Sequence, residues 1–353
     1  MAEKLEKMGV HFLAIKDMAG LCKPKAAKIL FKELKKNIKI PIHFHTHDTS
    51  GNGVATLLNA SDAGVDIVDV AIDSWSGFTS QPSFGAMVES LDGNSRDPKI
   101  SSAVVRTAAN YWEGVRKQYQ PFESKVRTSM SEVYLHQMPG GQYTNLREQA
   151  RSMGITDARW PELASMYAEV NKIFGDVIKV TPISKVVGDM AIYMLANNIQ
   201  IEDVLDPKKD VGFPASVIEF FSGRLGQPYK GFPKALQKKI LKGKKPINYR
   251  FGSKLKSLNI KHRTKELEQK YSDAISEKDT LSQIFFPEVF DEYMKHRQKY
   301  GNTSVIPTSN YFFGMNTGEE IYVSIEPGKT LIIRYFTLSE PNDCLLYTSP
   351  SPR

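Results

Sequence analysis

Pro41-Ile-His-Phe-His-Thr-His-Asp-Thr-Ser-Gly-Asn-Gly53 sets three histidines, His43, His45 and His47, at every second position, behind an apolar lead-in and ahead of a glycine-bearing turn. The pattern predicts a short strand that runs into a loop and then a helix starting at Val54. Side chains two apart on a strand share a face, so His45 and His47 can offer two imidazoles to one metal ion. His43 shares the face but lies two residues deeper, which suits a supporting contact better than ligation. At the carboxyl end of a parallel strand, such a pair sits where α/β barrels keep their chemistry.

Working outward, residues 1–9 read as the close of an amphipathic helix with a glycine cap. Residues 10–15 follow as a buried strand ending in Lys16-Asp-Met-Ala-Gly-Leu21, and residues 23–36 carry apolar side chains at helical spacing. Beyond the histidines, residues 65–71 read as a third strand, followed by a loop over 73–82 and a helix from Ser83. Three β-then-α units with short connections predict a parallel sheet whose strands share one functional edge. Three units cannot close a barrel.

From about residue 100 the pattern turns helical, over 103–119, 146–153, 161–174, 184–197 and 216–223. Residues 242–261 are basic and poor in apolar periodicity, so they read as a linker, and a helix resumes over 285–294. Residues 310–313, 320–325 and 329–336 read as strands, with a turn at Pro327-Gly328.

The 353 residues, 41% hydrophobic and 24% charged, have the make-up of a soluble globular chain long enough for two or three domains. No run reaches the length of a membrane span, and no leader peptide is visible. Cys22 and Cys344 alone argue against a disulfide framework and for a reducing setting, cytoplasmic or the mitochondrial matrix. The net charge of +8 gathers largely within 230–270, without aromatic interleaving, which predicts a solvated basic face and no nucleic-acid partner.

Lys16 ends the strand before the histidines and would share their edge, one strand over. A buried lysine loses its charge more readily, and the neutral amine can react with carbon dioxide. The resulting carbamate would join His45 and His47 as an oxygen ligand, a set that suits Zn or Mn. On composition alone Lys16 would instead pair with Asp17 or Asp48. Asp48 and Asp69 either orient the imidazoles or cap loops; His11 and His136 read as structural.

Six stretches now stand together: Ala14-Ile-Lys-Asp-Met-Ala-Gly-Leu21, His45-Thr-His-Asp-Thr-Ser-Gly51, Asp69-Val-Ala-Ile-Asp-Ser74, Thr79-Ser-Gln-Pro-Ser83, Pro139-Gly-Gly-Gln-Tyr-Thr-Asn-Leu146 and Lys179-Val-Thr-Pro-Ile-Ser-Lys-Val-Val-Gly-Asp189. In this order they resemble the carboxyltransferase domain of the pyruvate carboxylase family, across residues 1–343. The resemblance implies an α/β fold: a partial TIM (β/α)8 barrel, of which residues 1–95 hold the last three β/α units. A helical funnel over 96–275 would follow. A small α+β segment over 276–343, with Glu320-Ile-Tyr-Val-Ser-Ile-Glu-Pro-Gly-Lys-Thr-Leu331, would begin an allosteric and tetramer-forming domain. Residues 344–353 look like translated sequencing-adapter read-through and are set aside.

The same resemblance makes Lys16 a carbamylated metal ligand beside His45 and His47, on a divalent Mn, Zn or Mg ion. It makes Thr181 the hydroxyl that shuttles a proton between pyruvate and biotin, and Ser184 and Lys185 part of the biotin pocket. Taken alone, Thr181 before Pro182 is more often a helix cap. The implied partners are pyruvate and oxaloacetate, a biotin carrier domain and the other copies of a homotetramer, with ATP used only in a separate biotin carboxylase domain. The family's Arg-Asp-Ala-His-Gln-Ser motif, which carries a further aspartate ligand, is absent, as is an Ala-Met-Lys-Met carrier motif. The chain is therefore expected to be a fragment without carboxylase activity of its own. The alternatives are an oxaloacetate decarboxylase alpha subunit or a transcarboxylase, an acyl-transferring or aldol-type lyase of the same barrel superfamily, and a non-catalytic assembly piece.

Overall fold

A computed structural model describes residues 1–124 and 128–338, so the tail over 344–353 lies outside the described residues. The chain divides into two compact units, Met1–Leu255 and Lys256–Arg353.

The first unit opens with α1 (Ala2–Lys7), β1 (Leu13–Asp17), α2 (Pro24–Asn37), β2 (Ile42–Thr46), α3 (Gly53–Asp62), β3 (Ile67–Val68) and α4 (Phe84–Leu91). The strands pair in parallel in the order β1-β2-β3, with Ala14 opposite His43, Lys16 opposite His45 and His43 opposite Ile67. Strand alternation separates two faces. Ile42 and Phe44 point into the helices, where Phe31 of α2 meets Phe44 at a ring distance of 4.8 Å within a core of Ala27, Leu57 and Met87. Each such buried aromatic contributes about 1.5–3 kcal/mol by area alone. The opposite face carries Ala14, Lys16, His43 and His45, and Lys16 is exposed. Pro24 in the first turn starts α2, and the Ser83 hydroxyl accepts the Ala86 N–H to start α4. The third strand is shorter than its apolar run predicts. Beyond Val68 the Asp69 N–H still donates to the Phe44 carbonyl, and Ala71 bridges to Ser83, where the 73–82 loop folds back beside it.

The helical part of this unit comprises α5 (Ser102–Tyr119), α6 (Val133–His136), α7 (Gly140–Ser152), α8 (Trp160–Ile173), α9 (Ile183–Ala196), α10 (Ile201–Leu205), α11 (Ala215–Phe221) and α12 (Lys234–Leu241). Its centre is α9, apolar nearly all round, with Val187, Met190 and Met194 fully buried against Leu146, Leu163, Tyr167 and Phe220. The predicted helices are all present, and α7 starts six residues before the expected 146, directly after Pro139.

In the second unit, α13 (Ile260–Tyr271), α14 (Glu277–Phe285) and α15 (Pro287–Tyr300) pack Leu267, Tyr271, Phe290 and Met294 together. The linker expected over 242–261 is therefore shorter, and α13 and α14 come as additions. Two buried residues anchor α13, Leu267 and Tyr271, and its other positions are largely charged, which weakens the periodic signal. The Thr264 and Thr280 hydroxyls, 2.8 Å apart, and the Arg263–Gln283 bonds tie α13 to α14. Residues 310–313, expected as a strand, instead lie in α16 (Thr308–Phe313), which Pro307 starts and Gly314 ends. The Pro327-Gly328 turn joins β4 (Glu320–Glu326) and β5 (Lys329–Arg334) as an antiparallel hairpin, as expected. Among the described residues, no helix is long and apolar enough to cross a membrane.

Candidate active site

The exposed face of the sheet and the loop after β2 bring the histidines together. His43 donates from Nε2 and His45 from Nδ1 to the two oxygens of Asp69, each at 2.7 Å. His47 donates from Nδ1 to the Thr79 carbonyl at 2.6 Å. A carboxylate and a carbonyl can only accept, so His45 and His47 each carry a proton on Nδ1, and in the neutral ring the lone pair is left on Nε2. The His47 Nε2 is buried without a hydrogen-bond partner among the described residues. An unsatisfied nitrogen of this kind costs about 1–3 kcal/mol and fits a site that expects a ligand.

The ring centres of His45 and His47 are 5.3 Å apart at 81°. Two imidazoles on one tetrahedral ion at ordinary metal–nitrogen distances have ring centres about 5 Å apart. The two rings therefore fit a divalent cation. Among the described residues no three His, Cys, Asp or Glu side chains gather into a metal cluster. Lys16 is the neighbour of His45 in register. It is exposed rather than buried, which removes the desolvation argument for its neutral amine: its face of the sheet is not covered by the helices that cover Phe44.

Electrostatics follow the geometry. Burial pushes the His47 imidazole below its usual range, partly opposed by its bond to Thr79. Burial would raise the Asp69 carboxyl, but the hydrogen bonds from His43 and His45 outweigh it and hold the acid below the usual carboxylate range. Asp48, the other candidate partner for the imidazoles, accepts the Gly53 N–H at 2.8 Å instead and caps the start of α3; burial raises its carboxyl. Asp17 accepts from Leu21, Cys22 and Thr46, closing the loop after Lys16.

The helical region docks on this edge. Ser129 Oγ donates to the Asp48 carbonyl, the Met130 N–H to the Thr49 carbonyl, and the Gly140 N–H to the Met18 carbonyl. A Cβ built on Gly140 would lie 2.6 Å from the Thr79 oxygen and 2.7 Å from His47 Nδ1, so only glycine admits this turn over the His47–Thr79 bond. The Arg116 guanidinium donates to the Ser74 carbonyl at 2.6 Å and lies over Trp75, fixing the loop that carries Thr79. Thr79, Gly140 and Arg116 leave no sequence signal of this role, since two of them act through backbone.

Thr181 is exposed in the turn before α9. Ser184 is buried, its carbonyl facing the Tyr167 hydroxyl at 3.5 Å, and Lys185 pairs with Asp189 at 2.6 Å. Among the described residues no hydrogen bond joins Thr181, Ser184 or Lys185 to the histidines. The link runs through Lys179, which donates to Gln137 Oε1 at 3.3 Å, three residues before Gly140.

His136 begins that turn. It is buried, stacks on Tyr143 and accepts the Met138 N–H at Nδ1, and burial pushes its imidazole down to about 4. Because the unfolded histidine titrates near 6.5, its neutral form favours the fold. That contribution, about 3 kcal/mol, is complete above about pH 6.5, erodes as the pH falls and is gone below about 4. Urea midpoints measured between pH 7 and pH 4 are expected to fall more gently in a His136→Asn variant than in the parent chain.

Residues 133–334 match the conserved carboxylase domain family, and residues 1–90 match the HMGL-like family. The chain belongs to the pyruvate carboxylase family. It is 48% identical over 341 residues to pyruvate carboxylase of Bacillus subtilis, covering 97% of this chain and 30% of that protein. It is 46% identical to pyruvate carboxylase 1 of Caenorhabditis elegans, covering 95% of this chain and 29% of that protein. Its mixed α/β fold matches the carboxyl transferase domain of Rhizobium etli pyruvate carboxylase, solved with pyruvate and biocytin, at 50% identity and a TM-score of 0.90 over 97% of this chain and 57% of that one. The chain thus spans about 30% of the length of the pyruvate carboxylases it matches.

Proposed function

We infer that this chain forms part of a carboxyltransferase site that moves a carboxyl group from carboxybiotin to pyruvate, giving oxaloacetate. The observation that carries this is the pair of imidazoles with fixed Nδ1 protons and free Nε2 atoms, in a chain of the pyruvate carboxylase family. His45 and His47 would hold a divalent cation, with Lys16 as a carbamate completing the protein ligands. A cation there supplies positive charge against the charge that develops on the pyruvate carbonyl oxygen. Asp69 keeps the His45 lone pair aimed, and His43 shares that carboxylate. The Thr181 hydroxyl, open to an incoming carrier, would take the methyl proton of pyruvate and pass it to the biotin ring nitrogen. One nitrogen–carbon bond is thereby exchanged for one carbon–carbon bond, with no net proton change. Ser184 and Lys185 would line the biotin side.

Residues 1–95 are proposed as the last three β/α units of an eight-stranded barrel, 96–275 as its helical funnel, and 276–343 as the start of an allosteric and tetramer-forming domain. The parallel β1-β2-β3 sheet and the HMGL-like match support the first of these. A biotin carrier, an ATP-using domain and a homotetramer would complete the enzyme. The HMGL-like match also favours a lyase as a second reading; the carboxylase-domain match over 133–334 weighs against it.

The test is a pair of variants in a complete carboxylase carrying this stretch. Lys16→Ala is expected to abolish both metal retention and oxaloacetate formation. Thr181→Ala is expected to keep the metal and lose about 10²-fold in turnover. Metal retained at wild-type level in the first variant would remove Lys16 from the ligand set, and unchanged turnover in the second would remove Thr181 from the proton path.

A further inference from the structure

His136 is remote in sequence from the histidines of the sheet edge, yet it starts the turn that lies on His47. The turn leaves α6 with Gln137 in a left-handed conformation, φ 55°, its N–H bonded to the Val133 carbonyl at 2.7 Å. A chain that reverses in this way exposes the next amide, Met138 N–H, to an apolar interior, because Met138 is fully buried. His136 Nδ1 accepts that amide at 3.0 Å. Two residues later Gly140 bonds Met18 and closes over the His47–Thr79 hydrogen bond, while the Gln137 side chain accepts from Lys179. One acceptor thus fixes a four-residue turn that touches β1's loop, His47 and the segment before Thr181.

Alternative anchors are few. The His136 ring stacks on Tyr143 at 5.6 Å, and Tyr143 meets Trp160 edge-on at 4.9 Å, so this aromatic series backs the ring on one side. Its Nε2 is buried without a protein partner. An acceptor at Nδ1 requires the neutral ring with its proton on Nε2, and the low-dielectric surroundings favour that form.

We propose that His136 is a positioning residue for the candidate site, its Nδ1 holding the 137–140 turn against His47. This rests on the metal-site reading only for its consequence on metal affinity; the positioning itself is read separately.

The test compares His136→Phe, which keeps a stacked ring but removes the acceptor, with His136→Asn, which loses the ring but keeps an acceptor at the Nδ1 position. Amide hydrogen exchange is followed by mass spectrometry over residues 137–141 of the full chain, with circular dichroism to verify the fold. H136F is expected to exchange the Met138 and Gly140 amides at least about tenfold faster, and to bind Zn2+ about tenfold or more weakly. H136N is expected to stay within about twofold of wild type in both. If H136F does not fold, His136→Gln, whose acceptor sits one bond further out, takes its place with the same expectation. Equal exchange in the two variants, or no change in either, overturns the proposal. A wild-type chain that binds no Zn2+ would sink the metal-site reading instead, while the exchange rates still decide the role of His136.

Discussion

Replacing His47, in the loop after β2, by alanine is expected to lower the affinity of the chain for a divalent cation by on the order of 10³-fold. His47 Nε2 is buried without a hydrogen-bond partner among the described residues. Groups that merely orient a ligand typically cost 10–100-fold when lost, about 1.4–3 kcal/mol, and a direct ligand should exceed that range. His43→Ala supplies the contrast. It removes one of the two bonds to Asp69 but leaves His45 and its own bond in place, so its effect should fall within the lower range. Isothermal titration with zinc or manganese chloride reads both. Equal affinities for wild type and His47→Ala would place the ion elsewhere.

The second large effect is steric. Gly140→Ala is expected to destabilise the first unit by about 1–3 kcal/mol and to weaken metal binding with it. The added methyl would meet a backbone oxygen and a ring nitrogen that are themselves bonded to each other, and neither is the loose end of a flexible side chain. Relief requires either breaking the His47–Thr79 bond, which frees the ring to turn, or lifting the turn from the Met18 carbonyl. Gly141→Ala provides the control, because a Cβ there meets nothing within 4 Å. Urea midpoints with and without added metal separate the two variants. Indistinguishable midpoints would mean that the turn can retreat without cost.

Much of this arrangement is legible in the amino-acid sequence. Alternation places His43 and His45 on one face, and the β-then-α order places Lys16 beside them; the register agrees with both, whereas His47, expected on the same strand, lies in the loop after β2. Asp69 is a candidate because a carboxylate one strand over can reach an imidazole, and it binds two. What stays hidden has a common cause. The Thr79 carbonyl is a group every residue carries, and the fit of Gly140 depends on a loop some sixty residues earlier. The Met138 amide that His136 receives is likewise backbone, so a histidine that reads as merely structural offers no pattern. Asp48 follows the opposite logic: its nearest donor is five residues away, and the local bond takes it. Around 310–313 a run of aromatic residues suggests a strand, but Pro307 and Gly314 bracket one short helix.

The open face of the three-stranded sheet carries a further meaning for how this chain behaves in solution. Parallel sheets are ordinarily covered on both sides, and an apolar, flat, uncovered one is a template for association between copies. Here the uncovered face displays the Lys16 side chain and two imidazoles braced on a carboxylate, with Ala14 and Ile67 as exposed apolar members. The residues that suit chemistry therefore also keep this face polar. Lys16→Ala trades a polar for an apolar side chain on this face, so its loss of metal is expected to be read on the monodisperse fraction.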